Sequence, residues 1–82
     1  MNTKNKKLRD ELIALAEYAS KISVSHSEIA GLCSISYDYL RQIRRGENAT
    51  TDNSNKLLQT IIDTYRKRVR EKVEELEQIK LQ

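Results

Sequence analysis

Few side chains in this sequence suit bond-making chemistry. Cys33 is the only cysteine, which excludes an intramolecular disulfide and a thiolate metal cage within one chain. His26 is the only histidine, and no second ligand lies near it in sequence. No Gly-rich phosphate loop occurs, and no pair of carboxylates is spaced for acid–base work. Catalytic residues, metal and cofactor are therefore all expected to be none, and an enzyme is the weakest class. The sequence does supply fixed positive charge. Arg41, Arg44, Arg45 and Lys56 stand against Glu47 and Asp52, and Lys4, Lys6, Lys7 and Arg9 stand against Asp10 and Glu11. The net charge is +3, and residues 69–82 carry three positive and four negative groups, so the basic excess lies in the first 68 residues. Such an excess can serve a phosphate backbone, and by itself it is equally a solvated surface.

Those charges have to be held by helices. The 82 residues fit one domain, and there is no Pro and only two Gly, too few turn formers for an all-β chain. Regular apolar spacing argues against disorder. No apolar run approaches the roughly 20 residues that span a bilayer. The basic start MNTKNKKLRD is not followed by an apolar region of signal-peptide type. A lone Cys in an apolar stretch reads as a small buried hydrophobe, and the expected compartment is the cytoplasm.

Leu8, Leu12, Ile13, Leu15, Ala16, Ala19 and Ile22 recur at three- and four-residue spacing and predict a helix over 6–22, with Asn2, Lys4 and Asn5 fraying ahead of it. Ser25-His26-Ser27-Glu28 is a capping box that opens a second helix over 26–33, stapled by Val24 and Ile29. Ser36 caps a third helix, with Ile35 and Leu40 repeating the staple and Gly46 ending it. Residues 46–54 form a polar loop, and Asn53 or Ser54 opens a last helix to about residue 80.

The second and third helices are joined by three to four residues, the spacing of a helix-turn-helix. Its needs are met: a small residue where the helices cross (Ala30), an apolar plug in the turn (Ile35), and two inward aliphatics (Leu40 and Ile43).

The stretch IAGLCSISYDYLRQIRRG, residues 29–46, resembles the Cro/repressor-type, or lambda-repressor-like, helix-turn-helix family. Ile29-Ala30, Ile35-Ser36, Leu40, Ile43 and Arg45-Gly46 follow its pattern, and the likeness covers about residues 6–65. Three departures stand out. Ser34 replaces the turn Gly, so a serine must take a conformation that Gly adopts freely. Arg44 replaces an acidic residue. The family commonly folds five short helices, whereas this chain has four and an extended last one. The resemblance implies that the third helix lies in the major groove of double-stranded DNA, with Tyr37, Asp38, Arg41 and Gln42 at base edges. It implies phosphate contacts from Ser25, His26 and Ser27 on one side and from Arg44, Arg45, Asn48, Thr50 and Thr51 on the other.

Each position also has a plainer role. Asp38 suits the positive end of the third helix. Tyr37 and Tyr39 can pack on the surface or core, with Tyr39 the better core candidate. His26 can simply be exposed, the arginines can be a solvated face, and the N-terminal lysines can be a tail or a DNA-contacting arm.

The last helix, residues 54–82, would be about 43 Å long at ~1.5 Å per residue, longer than the domain needs. Ile62, Tyr65, Val69, Lys72, Leu76 and Ile79 alternate at three and four like a coiled-coil seam, with Val73 beside the interrupting Lys72. Glu75 and Lys80 have the five-residue spacing of an interchain pair in a parallel dimer. The expected dimerisation residues are Ile62, Tyr65, Val69, Val73, Leu76 and Ile79; alternatively the helix end packs on its own domain or frays.

The sequence thus predicts an all-α protein: a four-helix lambda-repressor-like helix-turn-helix domain over 1–65 with an extended C-terminal helix, 66–82, that dimerises. The expected function is a sequence-specific, phage- or plasmid-type transcriptional regulator, nucleoid-associated and by default a repressor, binding a roughly palindromic operator as a homodimer, with no membrane or small-molecule partner evident. The rival is a protein-interaction module of the same fold whose long helix binds a partner and whose third helix reads no DNA.

Overall fold

A computed structural model of the protein describes residues 3–45 and 55–81, with backbone only for Thr3, Lys80 and Leu81. The described residues fold as four α-helices: α1 (Thr3–Lys21), α2 (His26–Leu32), α3 (Tyr37–Arg45) and α4 (Asn55–Leu81). The protein is all-α, as the missing Pro and the 3.6-residue periodicity require. Gly46 and the polar loop 46–54 fall outside the described residues.

α1 starts at Thr3, three residues ahead of the expected boundary. Side-chain bonds hold its first turns: Arg9 Nε donates to Asn5 Oδ1 at 2.7 Å, and Asn5 Nδ2 donates to Asn55 Oδ1 at 3.1 Å at the start of α4. Lys4 and Asn5 are therefore helical, and Lys4, Lys6, Lys7 and Arg9 belong to α1 rather than to a tail. Further on, Arg66 of α4 pairs with Glu11, and Arg68 Nε lies 3.2 Å from Glu28 Oε1 of α2. Glu28 thus serves α4 rather than completing the capping box, of which one half forms: Glu28 N–H donates to Ser25 Oγ at 3.4 Å.

α1 and α2 end in the same way. Val24 N–H donates to Ala19 C=O at 2.9 Å, and Ile35 N–H donates to Ala30 C=O at 3.0 Å. Both are the six-to-one bond of a Schellman C-cap, which puts one residue in the left-handed region. Those residues are Ser23 (φ 63°) and Ser34 (φ 58°). Ser34 takes the strained geometry its position demands, and Ser23 takes it with no sequence warning. An L-residue there costs ~1–2 kcal/mol, while glycine adds unfolded-state entropy worth about 0.4–1 kcal/mol. Ser34→Gly is therefore expected to stabilise the fold by roughly 0.5 kcal/mol, read as a higher urea midpoint at unchanged slope.

The core joins Leu8, Leu12, Ala16 and Ala19 of α1 to Val24, Ile29, Ala30, Leu40 and Ile43, closed by Leu58, Ile61, Ile62 and Tyr65 of α4. The staple of Val24 and Ile29 and the crossing residue Ala30 are buried as expected, and Ile35, Tyr39 and Cys33 pack at the core's edge. Cys33 Sγ also donates to Thr64 Oγ1 at 3.5 Å.

One expectation is corrected. Ile62 and Tyr65 are at 0% exposure inside the protomer, so they cannot meet a partner helix. Val69 packs at the core's edge, and Val73 is half-buried. Leu76 and Ile79 are 43% and 62% exposed. The face of α4 that fills the core runs on past the point where the other helices cover it. No helix among the described residues is long and apolar enough to cross a membrane.

Candidate nucleic-acid interface

Residues 33–36 carry the chain from α2 to α3. Ser36 caps α3 as expected: Tyr39 N–H donates to its Oγ at 3.1 Å, and Leu40 N–H donates to its C=O at 3.1 Å. Because α3 turns 100° per residue, burying Leu40 and Ile43 drives the intervening residues outward. Tyr37, Asp38, Arg41, Gln42 and Arg45 are all exposed, so all four expected base-reading residues share one helix surface. Arg41 Nη2 lies 3.5 Å from Asp38 Oδ1, both largely in water. An ion pair so exposed is worth little, and both groups can leave it for another partner.

Arg44 points differently. It is half-buried on the side of α3 that faces α1. There an open depression of about 390 Å³ is lined by Ile13, Ala16 and Glu17 of α1 and by Tyr37, Arg41, Arg44 and Arg45 of α3. Beyond the N-terminal lysines, the sequence gives α1 no part in binding. Its apolar stripe shows which face enters the core but not which flank lies beside α3.

The start of α2 divides into two kinds of residue. Ser25 and Ser27 are exposed and available to an anion. His26 is drawn inward: its Nε2 is 2.7 Å from Ser20 Oγ, and its Nδ1 is 2.8 Å from Tyr65 Oη. The two rings meet edge to face, with centroids 5.7 Å apart. The imidazole links α1, α2 and α4, so its expected phosphate contact gives way to holding the start of α2 in place. Sequence offered no sign of this, because Ser20 and Tyr65 lie six and 39 residues away. Asn48, Thr50 and Thr51 lie outside the described residues. No group of three or more His, Cys, Asp or Glu side chains that could hold a metal occurs among the described residues.

No protein-family model, curated protein or solved structure matches the chain.

The His26 linkage has a pH signature. Burial, and secondarily the charge of Arg44, hold the imidazole below its ordinary value of 6.5. The unfolded chain then binds the proton more tightly than the folded one. Stability from this group is complete above pH 6.5 and is lost as pH falls through the lower folded value. The urea midpoint is expected to drop between pH 7.5 and pH 5, and to drop less in His26→Gln. An equal drop in both proteins would place the titrating group elsewhere.

Proposed function

We propose that the protein is a sequence-specific DNA-binding regulator of transcription, with a lambda-repressor-like helix-turn-helix domain. The observation that carries this is the surface of α3: Tyr37, Asp38, Arg41 and Gln42 stand outward together, over a helix anchored by fully buried Leu40 and Ile43. A rigidly seated helix with base-matching side chains on one face is what major-groove readout needs. Gln42 can bond adenine through two atoms, Arg41 can bond guanine, and Asp38 can accept from cytosine. Arg44 and Arg45, with Ser25 and Ser27, hold phosphates and supply the salt-dependent affinity.

The protein acts as a homodimer through the exposed end of α4, where Val73, Leu76 and Ile79 remain for a partner. Pairing α4 in parallel keeps both α3 helices at one end, as a two-fold operator requires. Repression follows from occupying the operator and excluding polymerase, in the cytoplasm of a bacterial or phage-infected cell.

Selection of duplexes from a random pool at about 150 mM salt, where non-specific phosphate binding is weak, tests this. The expected product is an inverted repeat with half-sites about 10–10.5 base pairs apart, or a multiple of that. A pool that stays random, with binding that only follows salt, would count against base reading and favour a partner-binding role for α4.

A further inference from the structure

Two surface depressions among the described residues are of opposite character. One lies between α2 and α4 and is lined by Glu28, Asp63, Lys67, Arg68 and Glu71, with Leu32 and two threonines. Its arginine is paired within the chain, because Arg68 bonds both Glu28 and Glu71. The other lies between α1 and α3, where three arginines face one carboxylate, Glu17. Arg41 pairs with Asp38 outside the depression, and the charges of Arg44 and Glu17 are the ones not matched internally. Arg44 makes no ion pair or hydrogen bond with any described residue, although it is half-buried. Glu17 lines the same depression, is exposed, and makes no ion pair among the described residues.

A half-buried guanidinium has lost part of its hydration and retains five donors with fixed directions. No Arg44 nitrogen is both buried and unpartnered, so its donors face solvent at the depression, where a ligand's oxygens can replace water. Other arginines in the fold have partners within it: Arg9 bonds Asn5, Arg66 bonds Glu11, and Arg68 bonds two glutamates. Arg44 is left for something outside the chain. Its charge reaches the groups behind it, where it disfavours the protonated form of His26 and favours the ionised form of Tyr65. Ile13 and Ala16 make an apolar floor that lowers the local dielectric and strengthens any charge-assisted bond made there. Tyr37, 43% exposed, brings a phenol to the rim.

We propose that the depression between α1 and α3 is a seat for one phosphate group, gripped by Arg44 from within and by Arg41 and Arg45 at the rim. A tetrahedral group with three or more acceptor oxygens can meet several guanidiniums at once, whereas a carboxylate is filled by a single fork. The volume accommodates a phosphate with part of the ester that bears it. Glu17 opposes the anion and weakens the seat. The phosphate can come from a DNA backbone or from a free phosphate ester, and only the first source rests on the function proposed above.

The test is a ¹⁵N-resolved titration of the whole chain with inorganic phosphate, at fixed pH and at ionic strength held constant with chloride. Saturable shifts are expected at the amides of Ile13, Ala16, Tyr37 and Arg44. Arg44→Gln should weaken the apparent affinity about tenfold, the loss of one charge-assisted contact. Glu17→Gln should tighten it about threefold by removing a like charge, and this exposed change leaves the core untouched. Shifts that fail to saturate, or affinities unmoved by both substitutions, overturn the seat. The source is read by repeating the comparison with a duplex of arbitrary sequence. If Arg44→Gln weakens duplex and phosphate alike, the seat holds DNA backbone; if it weakens phosphate alone, the seat holds a free ester. A random duplex pool together with saturable phosphate binding would defeat the DNA-reading function and leave the seat standing.

Discussion

Tyr65→Ala is expected to remove about 3–5 kcal/mol of folding free energy. An 82-residue domain holds only roughly 4–12 kcal/mol in total, so the variant should be largely unfolded or close to it. Two losses combine. Tyr65 is fully buried and is among the largest side chains in the core, so truncation leaves a cavity at the junction of α4 with the other helices. Its hydroxyl also meets His26 Nδ1 at 2.8 Å, so truncation leaves that ring nitrogen without its partner. Burial pushes the Tyr65 hydroxyl up to about 12, with Arg44 opposing the shift, so it stays neutral and bonded throughout the physiological range. Tyr65→Phe separates the two losses. It keeps the ring and removes the hydrogen bond, and should cost only about 0.5–1.5 kcal/mol. Urea denaturation of both variants checks this: the alanine protein should have little or no folded baseline, and the phenylalanine protein a modestly lower midpoint. Equal midpoints would mean that the hydroxyl bond carries the residue's whole contribution.

The same residue shows where sequence stops being informative. Local patterns were legible because their causes are local. Ser25 and Ser36 cap the helices that follow them, and Ala30 and Leu40 are buried where periodicity puts them. Ser34 takes the left-handed geometry that the turn demands. The outward set on α3 follows from burying Leu40 and Ile43, since helix geometry fixes the rest. Contacts between distant segments were not legible. Nothing in the spacing says that Tyr65 reaches His26, that Glu28 is taken by Arg68, or that Glu17 shares a depression with Arg44. Ser23 also escaped notice: its conformation arises from how α1 ends against Val24, and no glycine marks the place.

Under the proposed function, Leu76→Asp combined with Ile79→Asp is expected to give a folded monomer that binds the selected operator at least 100-fold more weakly. The heptad spacing of α4 runs from Ile62 to Ile79, broken in type only by Lys72, but the structure divides it. Ile62 and Tyr65 spend their apolar surface inside the protomer, Val69 sits at the margin, and Leu76 and Ile79 are exposed. Periodicity records which face of a helix is apolar, not where the neighbouring helices cease to cover it. The seam left for a second copy, from Val69 to Ile79, is only about 15 Å long at ~1.5 Å per residue. Two carboxylates placed in so short a seam cannot be moved aside, and in a dimer they would face two more across the axis. Losing the dimer removes the gain from linking two reading heads, which reaches about 10²–10⁴-fold in linked systems. The fold should survive, because both residues are exposed and neither belongs to the core. Ile62→Asp would instead place a charge in the core and unfold the chain. Sedimentation equilibrium and duplex titration of the double variant read the two effects together. A monomer with weakened operator binding is the expected pair of results. A double variant that keeps both the mass and the operator affinity of the parent would put the dimer contact, if there is one, on another surface.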